Sequence, residues 1–395
     1  MPDVQAETLC PVHEAAIAAL VKEQGIKAKG TPGAAVLVMR HGKVLHMACY
    51  GCADVAAGKR VTTGSMFDFA SMSKHITALA ILRLEEDGKL SLDDEVVTHL
   101  PDFAVPVKGR AVTIRNLLHH VSGLTEYTAG DEHDGFDMGD TDGLDFDTLT
   151  AQQHVRWING TKAKNKPGVK YAYLNSGYVL LSAIVERVAR MGFQQFVQDK
   201  LFAPAGVTHA YIRDGTRPLP AERVVGYAPE ENDDDEEEEE EAEEDDEPTK
   251  PLVPSDSPSV VTGDGNVFMN VADLARWLSA LQVGKVVSKE SLAKAWTNGK
   301  LDNGKAIADG DDGDGYGFGF IVDGGEGPVV SHAGDWVGTA TEMRLNTETG
   351  LTVAVMCNCW HAGKMSNAGC LCYTVADLYD PEEEDEGEEE GEEDE

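Results

Sequence analysis

Apolar residues recur at mostly helical intervals over 12–24 (VHEAAIAALVKEQ), as the spacing of Val12, Ala15, Ile17, Leu20 and Val21 shows. The next stretch, GAAVLVMRHGKVLHMACYG, is two apolar runs around His41-Gly42, the pattern of a β-hairpin. Helical spacing returns in SMSKHITALAILRLEEDGKL, whose stripe of Ile76, Leu79, Ile81, Leu82 and Leu84 begins just after Ser71 and stops near Gly88. Ser71 is therefore predicted at a helix N-terminus. Further helices are predicted at TIRNLLHHV, TAQQHVRWI, SGYVLLSAIVERVARM, FQQFVQDKLF and ADLARWLSALQ. After about residue 315 the pattern changes, and YGFGFIV, GPVVSHAG, ATEMRLN and LTVAVMCN read as four short strands before a last helix, AGCLCYTVADLY.

Strands frame both ends of the chain and helices fill its middle. The economical architecture is an α/β domain made of residues 1–75 and 260–379, with a mostly helical domain, 76–259, inserted between them. A chain of 395 residues has room for two to three domains at ~150 residues each.

Charge alters this picture only locally. The formal net charge is −37, but residues 230–248 carry 16 acids and 380–395 carry 13, which leaves 41 acids against 33 bases elsewhere. Such low-complexity runs cannot bury apolar area, so 230–248 is expected to be a disordered acidic loop and 380–395 a disordered tail. Both are candidates for loose binding of a basic partner. Nucleic acid is an unsuitable partner, since the one basic cluster, Lys162, Lys164, Lys166 and Lys170, is short and reads as a solvated loop.

No run of about 18 uncharged apolar residues is present, so no membrane span is expected. The N-terminus has Asp3 and Glu7 where an export signal has bases, which points to a cytoplasmic chain. The seven cysteines should then be reduced. Cys357 and Cys359, two apart in a β-branched run, read as core residues rather than metal ligands. The stretch from Asp131 to Asp147 contains DTDGLDFD but lacks the ligand spacing and final Glu of a calcium loop, and DGDDGDG at 309–315 reads as a turn. No metal or cofactor is expected.

Three elements carry candidate chemistry. Ser71-Met72-Ser73-Lys74 places a hydroxyl and an amine three apart on one helix face, at a terminus whose backbone N–H groups suit an oxyanion. Ser291-Leu292-Ala293-Lys294 has the same spacing, so the pattern alone does not choose. Tyr173-Leu174-Asn175 precedes a helix; a phenol beside a cation can act as a base, and Asn175 or Ser176 can equally be a helix cap. His332-Ala333-Gly334 follows a strand, where glycine permits close approach of a ligand, and His361-Ala362-Gly363 repeats the tripeptide.

The order S-x-x-K, Y-x-N, H-x-G resembles the serine β-lactamase-related superfamily, in its branch of class C β-lactamases, D-alanyl-D-alanine carboxypeptidases, D-aminopeptidases and family VIII esterases. Longer blocks are similar too, among them MFDFASMSKHITALAILRLEEDGKLSLDDEVVTHLPDF, VTIRNLLHHVSGL, NKPGVKYAYLNSGYVLLSAIVERV and VVSHAGDWVG. The resemblance implies an antiparallel sheet flanked by helices, of the β-lactamase/penicillin-binding-protein kind, and an acyl-enzyme mechanism. It implies Ser71 as nucleophile, Lys74 and Tyr173 as the proton-transfer pair, Asn175 orienting Lys74 and substrate, and His332 and Gly334 in the third motif. The backbone N–H groups of Ser71 and Asp335 would form the oxyanion hole. His332 stands where class C β-lactamases have Lys, and Ala333 where they and many of the peptidases have Thr. A small ester or amide is thus the expected substrate, with acyl transfer, D-amino-acid peptidase or weak β-lactamase activity, and a non-catalytic interaction role, as alternatives.

Overall fold

A computed structural model of the chain describes residues 11–105, 107–127, 150–230, 250–308, 313–325 and 327–380. Cys10, the Asp131–Asp147 stretch, residues 309–312, and nearly all of the acidic loop and tail lie outside these described residues.

The first apolar stretches form α1 (Pro11–Glu23) and the hairpin β1 (Ala34–Arg40) and β2 (Lys43–Tyr50). His41 and Gly42 both have positive φ, 48° and 76°, as a two-residue turn between twisted strands requires. The C-terminal strands are β6 (Gly315–Tyr316), β7 (Ile321–Val322), β8 (Val329–Trp336), β9 (Thr339–Asn346) and β10 (Leu351–Cys357). They join the hairpin in one antiparallel seven-stranded sheet of order β6-β7-β8-β9-β10-β1-β2. A small sheet of β3 (Met66–Asp68), β4 (Tyr211–Ile212) and β5 (Val267–Asn270) lies in the order β3-β5-β4.

The helices that build the interior are α2 (Lys74–Glu86), α3 (Ile114–Leu118), α4 (Ala151–Ile158), α5 (Asn175–Ala189), α6 (Val271–Gln282), α7 (Lys289–Ala295) and α8 (Ala368–Asp377). Strands β1 and β10 are nearly continuous apolar runs because both faces of the sheet are covered. Val36, Val38, Val353 and Val355 meet Ile17 and Val21 of α1 and Leu371 and Val375 of α8. The alternate residues Leu37, Met39, Ala354 and Met356 join a second apolar body that runs without a break through α2 and α5. Among the described residues no helix is long and apolar enough to cross a membrane.

Two elements differ from the periodicity. YGFGFIV is not one strand: Tyr316 ends β6, Ile321 and Val322 form β7, and residues 317–320 turn between them, because Gly317 and Gly319 lie too close to other backbone. A Cβ on Gly317 would stand 2.0 Å from the Ala295 carbonyl, and one on Gly319 would stand 2.7 Å from His75 Cα. Helix α3 ends at Leu118, short of the His-His-Val the pattern included, and His120 is left-handed with φ 55°. Cys357 and Cys359 are buried in the layer under α1 and α8, where burial pushes the Cys357 thiol up to about 12.

Glu342 lies in this same layer, on β9, with Oε2 3.8 Å from a Cβ built on Gly369 of α8. Burial, and secondarily Asp323, push its carboxyl up to about 8 against the pull of Arg344. The folded protein therefore holds a proton there that the unfolded chain releases near pH ~4.3, so this group's contribution to stability falls as pH rises toward 8. Glu342→Gln is expected to raise the melting temperature more at pH 9 than at pH 5, by several degrees. Parallel thermal melts of the two proteins across that range check it.

Candidate active site

Strand β3 delivers the chain into a 3₁₀ turn, Ala70–Ser73, that continues directly into α2. Ala70 holds φ 43°, a left-handed conformation that costs a non-glycine residue about 1 kcal/mol or more. Its N–H donates to Asp68 Oδ1 at 2.9 Å, while Met72 N–H donates to the Phe69 carbonyl at 3.0 Å. The hydroxyls of Thr341 and Thr339 on β9 donate to the carbonyls of Phe69, at 3.0 Å, and Asp68, at 2.8 Å. The turn is thereby tied to the sheet on the two residues just before Ala70, and Ser71 stands at its partly exposed crest.

Lys74 is completely buried. Its Nζ lies 2.9 Å from Ser71 Oγ, 2.7 Å from Asn175 Oδ1 and 2.9 Å from the Asp264 carbonyl oxygen. The rings of Tyr173 and Tyr178 close over it, with centroids 4.9 Å and 5.9 Å from Nζ. A buried amine needs such partners, because water is not there to solvate it. Asn175 is the first residue of α5, and Leu174 before it makes no side-chain cap, so the Asn175 amide is turned onto Lys74 instead of capping the helix. The Asn175 N–H is taken by Glu126 Oε2 at 2.5 Å.

Asp264 was not indicated by any spacing, since it contributes a carbonyl and not a side chain to Lys74. The available signal is its setting between two glycines, and Gly263, with φ 111°, would clash with the Tyr178 carbonyl at 2.4 Å if it carried a Cβ. The Asp264 carboxylate accepts from the Tyr127 hydroxyl at 2.6 Å, and burial pushes its pKa up while Lys74 opposes.

Strand β8 pairs with β9 along its whole length, but with β7 only at Val330 and Ser331. From His332 to Trp336 its other edge has no strand partner among the described residues, and Ala333, Asp335 and Trp336 are exposed. Gly334 lies against the serine turn: a Cβ there would stand 2.0 Å from the Phe69 carbonyl and 2.4 Å from Thr341 Oγ1. The His332 ring faces the interior. Its Nδ1 is 2.5 Å from the Ala333 carbonyl and its Nε2 is 2.9 Å from the Tyr316 hydroxyl. With Nδ1–H donating to the carbonyl, Nε2 accepts from Tyr316. Burial, followed by Lys74, pushes its pKa down to about 3, so the ring is neutral.

A family model described as Beta-lactamase matches residues 14–368. The chain belongs to the beta-lactamase family. It is 33% identical over 310 residues to Penicillin-binding protein 4* of Bacillus subtilis (strain 168), an alignment covering 78% of this chain and 64% of that protein. The chain thus spans just under two thirds of that relative's length. The octameric penicillin-binding protein homologue from Pyrococcus abyssi superposes with a TM-score of 0.74 at 26% identity, over 93% of this chain and 77% of the other. The D-amino acid amidase from Ochrobactrum anthropi SV3 shares the fold, with a TM-score of 0.70 at 19% identity over 93% and 99% of the two chains. The antiparallel sheet with flanking helices is the penicillin-binding-protein/β-lactamase-like fold.

Within this family member the duplicate motifs separate cleanly. Ser291 is buried and donates to Glu86 Oε1 at 2.6 Å, while Lys294 reaches Glu85 Oε2 at 3.0 Å, so both residues fasten α7 to α2 and not to each other. His361 is an exposed loop residue stacked on Trp360.

Gly334→Ala is expected to push β8 off the serine turn. The backbone carbonyl it would strike cannot rotate away, so activity should fall at least ~10²-fold, as it does for misplacements of about 1 Å. A lowered melting temperature should accompany the loss, read by calorimetry and by ester hydrolysis on the same sample.

Proposed function

We propose that this protein is a serine hydrolase that works through an acyl-enzyme on small, uncharged esters or amides, with Ser71 as nucleophile. The observation that carries the reading is the 2.9 Å separation of Lys74 Nζ from Ser71 Oγ, with the amine's other two partners both pure acceptors. A neutral amine has two N–H bonds and one lone pair. As an ammonium Lys74 can donate to all three oxygens; in the deprotonated form that acts as base, its two N–H bonds match Asn175 Oδ1 and the Asp264 carbonyl, and the lone pair is left for the Ser71 hydroxyl proton.

In this scheme Lys74 takes the Ser71 proton as Oγ bonds to the substrate carbonyl carbon. The backbone N–H groups of Ser71 and Asp335 receive the developing oxyanion. Tyr173, whose ring covers Lys74 and is 37% exposed, passes its proton to the leaving group as the bond to the carbonyl carbon breaks and takes a proton from Lys74 in its place, which returns the amine to its neutral form. Water then repeats the sequence on the acyl-enzyme and restores Ser71. Asn175 fixes the amine, and Gly334 allows the edge strand to lie against the nucleophile.

The substrate class follows from His332. A carboxylate-bearing substrate needs a cation or donor beside the edge strand, and this ring is buried, neutral and committed to Ala333 and Tyr316 at both nitrogens. Uncharged acyl groups lose nothing by this.

Intact mass and peptide mapping after treatment with a phosphonate should place the label on Ser71 and not on Ser291. Ser71→Ala should lower ester kcat by at least ~10³-fold, and Lys74→Ala with Tyr173→Phe should cost little more than either alone, since residues acting as one unit are not additive. Label on Ser291, or full activity of Ser71→Ala, would refute the mechanism.

p-Nitrophenyl butyrate should be a better substrate than penicillins or D-Ala-D-Ala peptides. Because His332 gains no proton until about pH 3, the ratio of penicillin to butyrate kcat/KM should stay flat from pH 7 to 5.5. A ratio that climbs as pH falls would show a cation forming at the edge strand.

A further inference from the structure

His120 lies just beyond α3, 1% exposed, and outside every motif singled out by spacing. It touches the Tyr173 segment in three ways. The Ala172 N–H donates to its carbonyl oxygen at 2.9 Å, the Leu174 N–H donates to its Nδ1 at 3.0 Å, and its ring stacks on Tyr173 with centroids 4.4 Å apart and planes 30° from parallel. The two residues flanking Tyr173 and the Tyr173 ring itself are therefore all held by one side chain and its own backbone.

The imidazole is in turn held from behind. Tyr178 and Tyr316 pack on it with centroids at 5.0 Å and 4.6 Å. Accepting the Leu174 N–H requires a lone pair on Nδ1, which places the proton on Nε2 and makes the ring neutral. Burial, and then the neighbouring Lys74, hold its pKa well below the ordinary histidine value in the same direction. The left-handed φ of 55° at His120 turns the chain so that both its carbonyl and its ring reach the 172–174 segment.

We infer that His120 is a positioning residue that holds the Tyr173 ring, and so its hydroxyl, in register with Lys74 and Ser71. This inference rests on the reading of Tyr173 as a proton-transfer group. Tyr173 is partly exposed, and among the described residues its ring is held by stacking on His120, by the main-chain bonds of its two neighbours and by the Lys74 amine against its face. A phenol that wanders by about 1 Å loses the alignment needed for proton transfer.

A double-mutant cycle tests it. His120→Asn keeps an acceptor at the Nδ1 position and suits a left-handed φ, but removes the stacking ring. His120→Phe keeps a ring and removes the acceptor. Each is made in the native protein and in Tyr173→Phe, and kcat and KM for p-nitrophenyl butyrate are measured with the rate of phosphonate labelling at Ser71. In the native background His120→Asn should lower kcat and labelling ~10- to 100-fold while KM changes less than ~3-fold. His120→Phe should show the same split, and in Tyr173→Phe neither change should cost more than ~2-fold.

Equal losses in both backgrounds would show a merely structural role and overturn the inference, as would no loss in either. Should His120→Phe fail to fold, His120→Asn alone decides. If Tyr173→Phe by itself keeps native activity, the proton-transfer reading fails. If Tyr173→Phe is impaired and the His120 variants are not, only the positioning role fails.

Discussion

The site depends on the burial of one amine. Lys74 is fully enclosed, and such a group is tolerated inside a protein only when its hydrogen-bonding capacity is met. Its three partners come from three distant parts of the chain: the turn that starts α2, the first residue of α5, and the glycine-flanked Asp264. Meeting that one requirement brings Ser71, Tyr173 and Asn175 together.

The second constraint is the closeness of edge strand and nucleophile. Ala70 is held in a strained conformation costing about 1–3 kcal/mol, and the neighbouring hydrogen bonds from Thr339, Thr341 and to Asp68 hold it there. Asp68, whose carboxyl burial pushes up to about 6, contributes an acceptor to this strained peptide rather than a surface charge. Strand β8 can lie against such a turn only because Gly334 has no side chain to strike the Phe69 carbonyl. A sheet covered on both faces is a rigid base for this arrangement, because neither the strand nor the turn can shift without opening a packed layer.

Electrostatics then narrow the chemistry. The one amine at the centre is already committed, and the histidine of the third motif is turned inward to Tyr316 and kept neutral by burial. Around them stand Glu126 and Asp264, both bound to the site's own backbone or hydroxyl groups. The groups so arranged can pass a proton among themselves without exchanging it with bulk water at each step.

Much of this was legible in the chain. Apolar content and spacing located α1, α2, α5, α6, α8 and the long strands, although α2 and α5 are buried on nearly every side, so their apolar residues exceed a single stripe. The S-x-x-K spacing placed Ser71 and Lys74 on one helix face, a consequence of local geometry alone. Local geometry could not separate that pair from Ser291 and Lys294, which tertiary structure instead binds to Glu86 and Glu85. Nor could it say whether Asn175 caps a helix or holds an amine, since one side chain suits both and only the position of Lys74 decides. YGFGFIV has the composition of a strand but is broken by a turn at 317–320, where neighbouring backbone leaves no room for a Cβ at Gly317 or Gly319. Asp264 and His120 act through a carbonyl, a lone pair and a ring face, and these follow no spacing rule. Periodicity records which faces are buried; which buried groups meet is set by contacts between residues about fifty to two hundred apart, and only the folded chain contains those.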